Sequence, residues 1–248
     1  MWDEKNEIIY KLDLSKEKKE LLEKIMINFN MPDSGVVLLF DDEDYKSHPN
    51  DLWSKNYGLH MNVRLGEIEE CSPDDILKII KSKKYTHFIW FSKRVSLADD
   101  IEFSWNFAHE LRHLEQDVKS FILSWAGCFL YNNLGRIEIE EPKINITVPT
   151  ELDAELSAWR TGNTLFGDDS IKAFLHDKAS IKNIEEYKLL VKHNPYNQYN
   201  VIEQTVAILK KYKTQLQSIH NLDRQKNKTI KEFNIDLACD ELNSFLHI

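Results

Sequence analysis

The sequence His109-Glu110-Leu111-Arg112-His113 constrains the fold of this chain more than any other feature. Residues four apart lie on one face of an α-helix, so both histidines can present an imidazole to the same metal ion. Glu110 lies roughly 100° round the helix from His109, where it can reach a metal-bound water without binding the metal. Apolar residues recur around the quintet with helical spacing, which predicts one buried face: Phe103, Phe107, Leu111 and Leu114.

The sequence before the quintet predicts where its helix begins. Ser96-Leu97-Ala98-Asp99 has the spacing of a capping box, so we expect the helix to begin there and to run through His113. Residues 86–91 are rich in β-branched and aromatic side chains and predict a strand that leads into this helix. The alternative interpretation is a helix that carries two surface histidines and binds no metal.

A catalytic zinc site needs a third protein ligand, and Glu151 is the best candidate. Pro149 and Thr150 predict a helix start just before it, and Thr150 with Asp153 has the spacing of a second capping box. No third histidine follows the quintet at metzincin spacing, since the chain has neither the glycine nor the histidine of that pattern.

Residues after Glu151 support a second helix that approaches the first. Ala154 and Ala158 would form a seam of small residues that permits close packing. Glu155, one turn after Glu151, can accept an N–H from a ligand histidine and so orient its ring. The choice between Glu151 and Glu155 as third ligand stays open, and an ordinary acidic helix start is the alternative for both.

The pattern His109-Glu110-x-x-His113 followed by Glu151-x-x-Ala154-x-x-x-Ala158 resembles the gluzincin branch of the zincin metallopeptidases. It is most similar to the ImmA/IrrE-type proteins of bacteria and their mobile elements. The resemblance implies that the two histidines and Glu151 bind Zn²⁺, and that Glu110 is the general base.

The resemblance extends from the strand near Phe88 to Trp159, and the chain departs from the family pattern in two places. An apolar stretch at 121–131 and a predicted hairpin at 136–148 lengthen the interval before Glu151. The residues after Ala158 also lack the apolar ending that is common in the family.

The order of predicted elements fits an α+β fold. It has a zincin-like core in residues 1–165, with a small mixed sheet packed on the quintet helix and the glutamate helix. Residues 166–248 carry mostly helical signals and predict a helical extension packed on this core. The predicted helices are 15–29, 72–82, 170–176, 180–193, 200–220 and 229–246, the strands are 35–40 and 59–65, and a loop spans 41–58.

Composition excludes several classes of function. The 248 residues are 42% hydrophobic and 29% charged, as in globular proteins that bury a sizeable core. A net charge of −9 argues against a general nucleic-acid binder, because phosphate contacts need a basic surface.

The three cysteines, Cys71, Cys128 and Cys239, show no metal-binding or disulfide spacing. The charged N-terminus lacks a signal-peptide core and the apolar run at 121–131 is too short to span a bilayer, so we expect a cytoplasmic protein without a membrane partner.

Other polar residues receive weaker roles. A zincin usually stabilises the developing oxyanion with a His, Tyr or Arg across the cleft, and His193, Tyr196, Tyr199 and Arg160 are candidates by residue type alone. A surface or loop position is the more frequent role for each. His60 and His87 lie in predicted strands and are expected to be structural histidines rather than ligands.

Three functions therefore remain open. The leading prediction is a zinc metalloendopeptidase that hydrolyses a protein or peptide substrate, with the C-terminal helices restricting access. The alternative is a catalytically silent zincin-fold protein that binds metal and regulates or binds a partner protein. The third is a helical structural protein whose motif arose by chance.

Overall fold

The computed structural model describes residues 6–32, 35–63, 72–81, 85–137, 148–178 and 200–246. The strands are β1 Glu7–Tyr10, β2 Val36–Phe40, β3 Gly58–Asn62 and β4 His87–Phe91. The helices are α1 Lys16–Met26, α2 Asp51–Lys55, α3 Asp74–Lys81, α4 Lys93–Leu97, α5 Asp100–Lys119, α6 Phe121–Leu134, α7 Pro149–Phe166, α8 Asp168–Lys178, α9 Val201–Lys211, α10 Lys213–Lys226 and α11 Ile235–Ser244.

The four strands form one mixed sheet in the order β1-β2-β4-β3. β1, β2 and β4 run parallel, whereas β3 pairs antiparallel with β4 and lies at the edge. All residues of β2 and β4 are buried, because these central strands are covered on both faces of the sheet. Their nearly continuous apolar sequences are typical of such strands. The predicted α+β class and small mixed sheet are confirmed.

Contacts divide the chain into two compact units. Unit 1 comprises residues 1–115 and 158–174, and unit 2 comprises residues 116–157 and 175–248, so α5 and α7 each belong in part to both. The predicted boundary at residue 165, between a core and a helical extension, stays a prediction.

Unit 1 has apolar side chains on both faces of its sheet. On one face, Trp90 of β4 packs against Trp53, with ring centroids 5.2 Å apart. On the opposite face, Phe91 lies 5.1 Å from Phe40 and 5.4 Å from Phe107 of α5. The predicted apolar face of the quintet helix is therefore confirmed, since all four of its apolar residues are fully buried. Trp90 and Phe91 are equally buried and belong to the core.

Unit 2 contains a separate apolar cluster to which α6, α9, α10 and α11 contribute. Phe129 of α6 stacks on Phe233 at 4.2 Å between ring centroids. His220 of α10 packs edge-on against Phe129, and its Nε2 accepts a hydrogen bond from the backbone N–H of Phe233 at 3.0 Å. The apolar stretch at 121–131 is thus part of a buried helix, as predicted.

Some element boundaries differ from the predictions. The predicted helix at 200–220 is two helices, because Tyr212 has a non-helical backbone (φ −109°, ψ 17°). The helix predicted to begin at Thr229 begins only at Ile235, where the side chain of Asn234 accepts hydrogen bonds from two backbone N–H groups. The predicted loop at 41–58 contains α2, and β1 was not predicted.

Several predictions lie outside the described residues. They are the helix at 180–193, most of the hairpin at 136–148, and the candidate residues His193, Tyr196, Tyr199 and Cys71. Among the helices of the described residues, none is both long enough and apolar enough to cross a membrane.

Candidate metal centre

The quintet lies in the middle of α5, which begins at Asp100. The side chain of Asp99 accepts a hydrogen bond from the backbone N–H of Glu102 at 2.8 Å and so caps the helix. The prediction that Ser96 begins this helix is wrong. Ser96 lies inside α4, whose N-cap is Ser92, and the extended backbone of Ala98 separates α4 from α5. The hydroxyl of Ser96 donates instead to the carbonyl of Ser92 at 3.1 Å.

His109 and His113 face each other one turn apart, as the helical spacing predicts. Their Nε2 atoms are 3.1 Å apart and their ring centroids 4.8 Å apart. Two nitrogens bound at ~2.0–2.1 Å to one tetrahedral zinc would be roughly 3.3 Å apart. The pair therefore already has nearly the spacing that one zinc ion requires.

Glu151, on the first turn of α7, completes a group of three with these histidines. One ligand atom from each of His109, His113 and Glu151 lies within 4.8 Å of the other two, and all three residues are half-buried. Two imidazole nitrogens and one carboxylate oxygen are a donor set that suits zinc and related divalent transition metals. The residues present thus fit the metal that the sequence implied.

The first turn of α7 is held by its neighbours in unit 2. The side-chain amide of Gln116, on α5, donates to the carbonyl of Thr150 at 2.9 Å and to the carboxylate of Asp153 at 2.8 Å. A Cβ placed on Gly127 of α6 would lie 2.4 Å from the hydroxyl of Thr150, so α6 and α7 approach very closely there. These contacts fix the backbone next to Glu151.

The same contacts correct the predicted start of α7. The helix begins at Pro149, as predicted, but Thr150 and Asp153 do not form a capping box. Thr150 lies inside the helix, and the carboxylate of Asp153 accepts a hydrogen bond from Gln116. The predicted capping position is therefore occupied by a residue of the helix itself, and the buried side chains of Gln116 and Asp153 form a tertiary hydrogen bond.

Glu110 lies against the edge strand β3. A Cβ on Gly58 would come within 2.9 Å of Oε1 and 3.0 Å of Cγ of Glu110. A larger residue at position 58 would therefore force the Glu110 side chain to move. Glu110 is 7% exposed, whereas the three residues of the ligand group are half-buried. Glu110 is next to His109 in the sequence of α5 but is not a member of the ligand group.

The other residues singled out in the sequence occupy varied positions. Ala154 and Ala158 are fully buried, as expected for a seam of small residues. Glu155 is partly exposed one turn after Glu151, and its role towards a ligand histidine stays a prediction. Arg160 is exposed and projects about 180° from Glu151 round α7, as a spacing of nine residues requires.

A second group of potential ligands was not foreseen in the sequence. His60 of β3, His87 of β4 and Asp117 of α5 bring one ligand atom each to within 4.8 Å of the others. Burial lowers the pKa of His60 well below its usual value, and the nearby His87 and His113 lower it further. Sequence reasoning missed the group because His60 and His87 come together only through the pairing of β3 with β4.

Comparisons with known proteins identify no relative: no family model, no curated protein and no solved structure matches this chain. What the protein does is therefore inferred from its own residues. The described residues provide a histidine pair with a candidate carboxylate ligand, and a buried carboxylate adjoins the first histidine in the sequence. The group of His109, His113 and Glu151 could bind a divalent metal.

Proposed function

We propose that this protein is a zinc-dependent metalloendopeptidase with a zincin-like core, related to the gluzincins of ImmA/IrrE type. The observation that carries the proposal is the convergence of His109, His113 and Glu151, with Glu110 next to the first histidine on α5. The proposed metal ligands come from two separate helices. The spacing within His109–His113 and that from Glu151 to Ala158 resemble the family motif, whereas the interval between His113 and Glu151 is longer than in the family.

Zinc held by these residues supplies Lewis acidity, which polarises a carbonyl and lowers the pKa of water. Glu110 accepts the proton that the attacking water loses as its oxygen forms a bond to the carbonyl carbon. Glu110 then donates that proton to the amide nitrogen as the C–N bond breaks. The products are a carboxylic acid and an amine, and Glu110 returns to its starting state.

The position of β3 supports an extended peptide as the substrate. Within the described residues, β3 is an edge strand of the sheet, and peptide recognition by strand addition takes place at sheet edges. Gly58, the first residue of β3, is packed against the side chain of Glu110, which is the general base in this proposal. A peptide bound along β3 would receive main-chain hydrogen bonds and pass close to the carboxylate.

The proposal predicts chelator-sensitive peptide hydrolysis by the purified full-length chain. Incubation with a diverse peptide pool should give new termini, detected by mass spectrometry, at a small set of related bonds. A zinc chelator should abolish the cleavage and added Zn²⁺ should restore it. Cleavage that persists after complete zinc removal, or no cleavage by zinc-loaded protein, would contradict the proposal.

Gly58→Ala should lower activity without removing zinc. The new methyl group would displace the end of the Glu110 side chain rather than the backbone, so the folded state should lose little stability. Misplacement of a reacting group by about 1 Å can cost about a hundredfold in rate, so we expect kcat to fall by roughly tenfold to a hundredfold. Steady-state kinetics, with zinc content and thermal unfolding as controls, measures this. Unchanged kcat would show that the present position of Glu110 is not the active one.

A catalytically silent regulator is the second candidate, and the burial of Glu110 favours it. A general base that is only 7% exposed is less accessible to substrate than the half-buried residues of the ligand group. This candidate predicts zinc binding without hydrolysis. It also predicts that the protein keeps its cellular effect after Glu110→Gln.

A further inference from the structure

We propose that His60, His87 and Asp117 form a second binding site for a divalent transition metal, distinct from the site of His109, His113 and Glu151. One ligand atom of each residue lies within 4.8 Å of the other two. His87 and Asp117 are buried, with 9% and 4% exposure, whereas His60 is half-buried. None of the three residues takes part in the proposed peptide hydrolysis.

The sheet brings the two histidines together. In the antiparallel pair, His60 is opposite Ile89 and His87 is opposite Asn62. Residues opposite each other or two apart project from the same face of a sheet. His60 and His87 therefore project from one face, and their rings stack with centroids 5.6 Å apart.

The periodicity of α5 brings Asp117 to the same place. Asp117 follows Glu110 by seven residues, which returns it to within about 20° of the same direction round the helix. Glu110 contacts Gly58 on β3, so this stripe of α5 points towards the edge strand. Gln116, by contrast, lies on the stripe of His109 and bonds to the first turn of α7. Two adjacent faces of α5 thus each contribute to one ligand group, one with His109 and His113 and the other with Asp117.

The donor set defines the class of metal. Two imidazole nitrogens and one carboxylate oxygen suit Zn²⁺, Co²⁺ or Ni²⁺, whereas Ca²⁺ and Mg²⁺ require mostly oxygen ligands. An ion bound here would have one anionic ligand, the carboxylate of Asp117, and two neutral imidazole ligands. It would join β3, β4 and α5, and binding only to the folded protein would raise thermal stability.

The competing explanation is a metal-free cluster in which the Asp117 carboxylate accepts an imidazole N–H. Such a cluster satisfies buried polar groups without an ion. It predicts that Asp117→Asn changes neither the number of metal ions bound nor the effect of metal on stability. The two explanations therefore differ in a quantity that can be counted.

The test removes ligands of the first group and counts the metal ions that the protein still binds. The full-length double variant His109→Ala/His113→Ala, which lacks both histidines of the first group, is titrated with Co²⁺, and the visible absorption of the bound ion is followed. We expect about one equivalent to bind and the melting temperature to rise on binding. Adding Asp117→Asn should abolish both effects, whereas adding His48→Ala, a histidine outside both groups, should leave them unchanged.

Either of two results would overturn the proposal. The first is that the double variant, shown to be folded by circular dichroism, binds no cobalt. The second is that its cobalt binding is unchanged when Asp117→Asn is added. If Asp117→Asn does not fold, His87→Gln replaces it and the same two results decide. Because hydrolysis is not measured, failure of the peptidase proposal leaves this test intact, and failure here leaves the peptidase proposal intact.

Discussion

Glu110→Gln will lower kcat/KM for peptide hydrolysis by about a hundredfold to ten-thousandfold, the usual contribution of a general base. Glutamine has nearly the same shape as glutamate, so it should fit the space beside Gly58 and leave α5 unchanged. It cannot accept the proton of the attacking water. The zinc content should stay at the wild-type level, because Glu110 is not a member of the ligand group. Kinetics and elemental analysis on the same preparation measure both quantities.

Glu115→Gln is the matched control for this experiment. Glu115 is on the same helix, but it accepts a hydrogen bond from the backbone N–H of Asn30 and pairs with Arg112. We expect this variant to keep wild-type activity. Undiminished hydrolysis by Glu110→Gln would remove Glu110 from the mechanism. If hydrolysis is lost, the variant becomes a trap, since it should bind a natural substrate and fail to cleave it.

His113→Ala and Glu151→Ala will each remove one equivalent of zinc relative to wild type. Each variant leaves two of the three ligands, and we expect the affinity to fall more than the roughly 10–100-fold that loss of an outer-shell partner costs. Hydrolysis should be lost together with the metal. Elemental analysis after dialysis against a weak chelator measures the loss, and comparison with wild type prepared in parallel corrects for any zinc bound elsewhere.

Glu155→Ala is the control that separates the two candidate carboxylates. Glu155 lies one turn after Glu151 on α7 and is absent from the ligand group. We expect Glu155→Ala to keep its zinc, with at most the modest drop in affinity that loss of an outer-shell partner causes. Zinc retained in Glu151→Ala but lost in Glu155→Ala would reverse the assignment of the third ligand.

The sequence predicted those parts of the fold and candidate site that depend on local periodicity. The helix of the quintet, its buried face and the strand before it all follow from the spacing of residues close in the chain. The helix that begins at Pro149 follows from local signals in the same way. Glu151 could therefore be named as a ligand before its distance to the histidines was known.

What could not be predicted depends on contacts between distant segments. The second ligand group requires the register of β3 on β4, which places His60 and His87 on one face, and no local pattern encodes that register. The packing of Gly58 against Glu110 depends on the same strand. The predicted capping box at Thr150 was wrong because the helix begins one residue earlier, at Pro149, and the hydrogen bond between Asp153 and Gln116 is a contact between distant segments that no local pattern predicts.

The close approach at Gly127 connects the candidate ligand Glu151 with α6, a helix that contributes no residue to either ligand group of the described residues. The side chain of Thr150 fills the position that a Cβ of residue 127 would take, and Thr150 immediately precedes Glu151. α6 also contributes Leu123 and Leu130 to the apolar cluster of unit 2. A side chain larger than glycine at position 127 would have to displace Thr150, and Glu151 would move with it. If Glu151 binds the metal, the packing of α6 therefore contributes to metal affinity as well as to the stability of the fold.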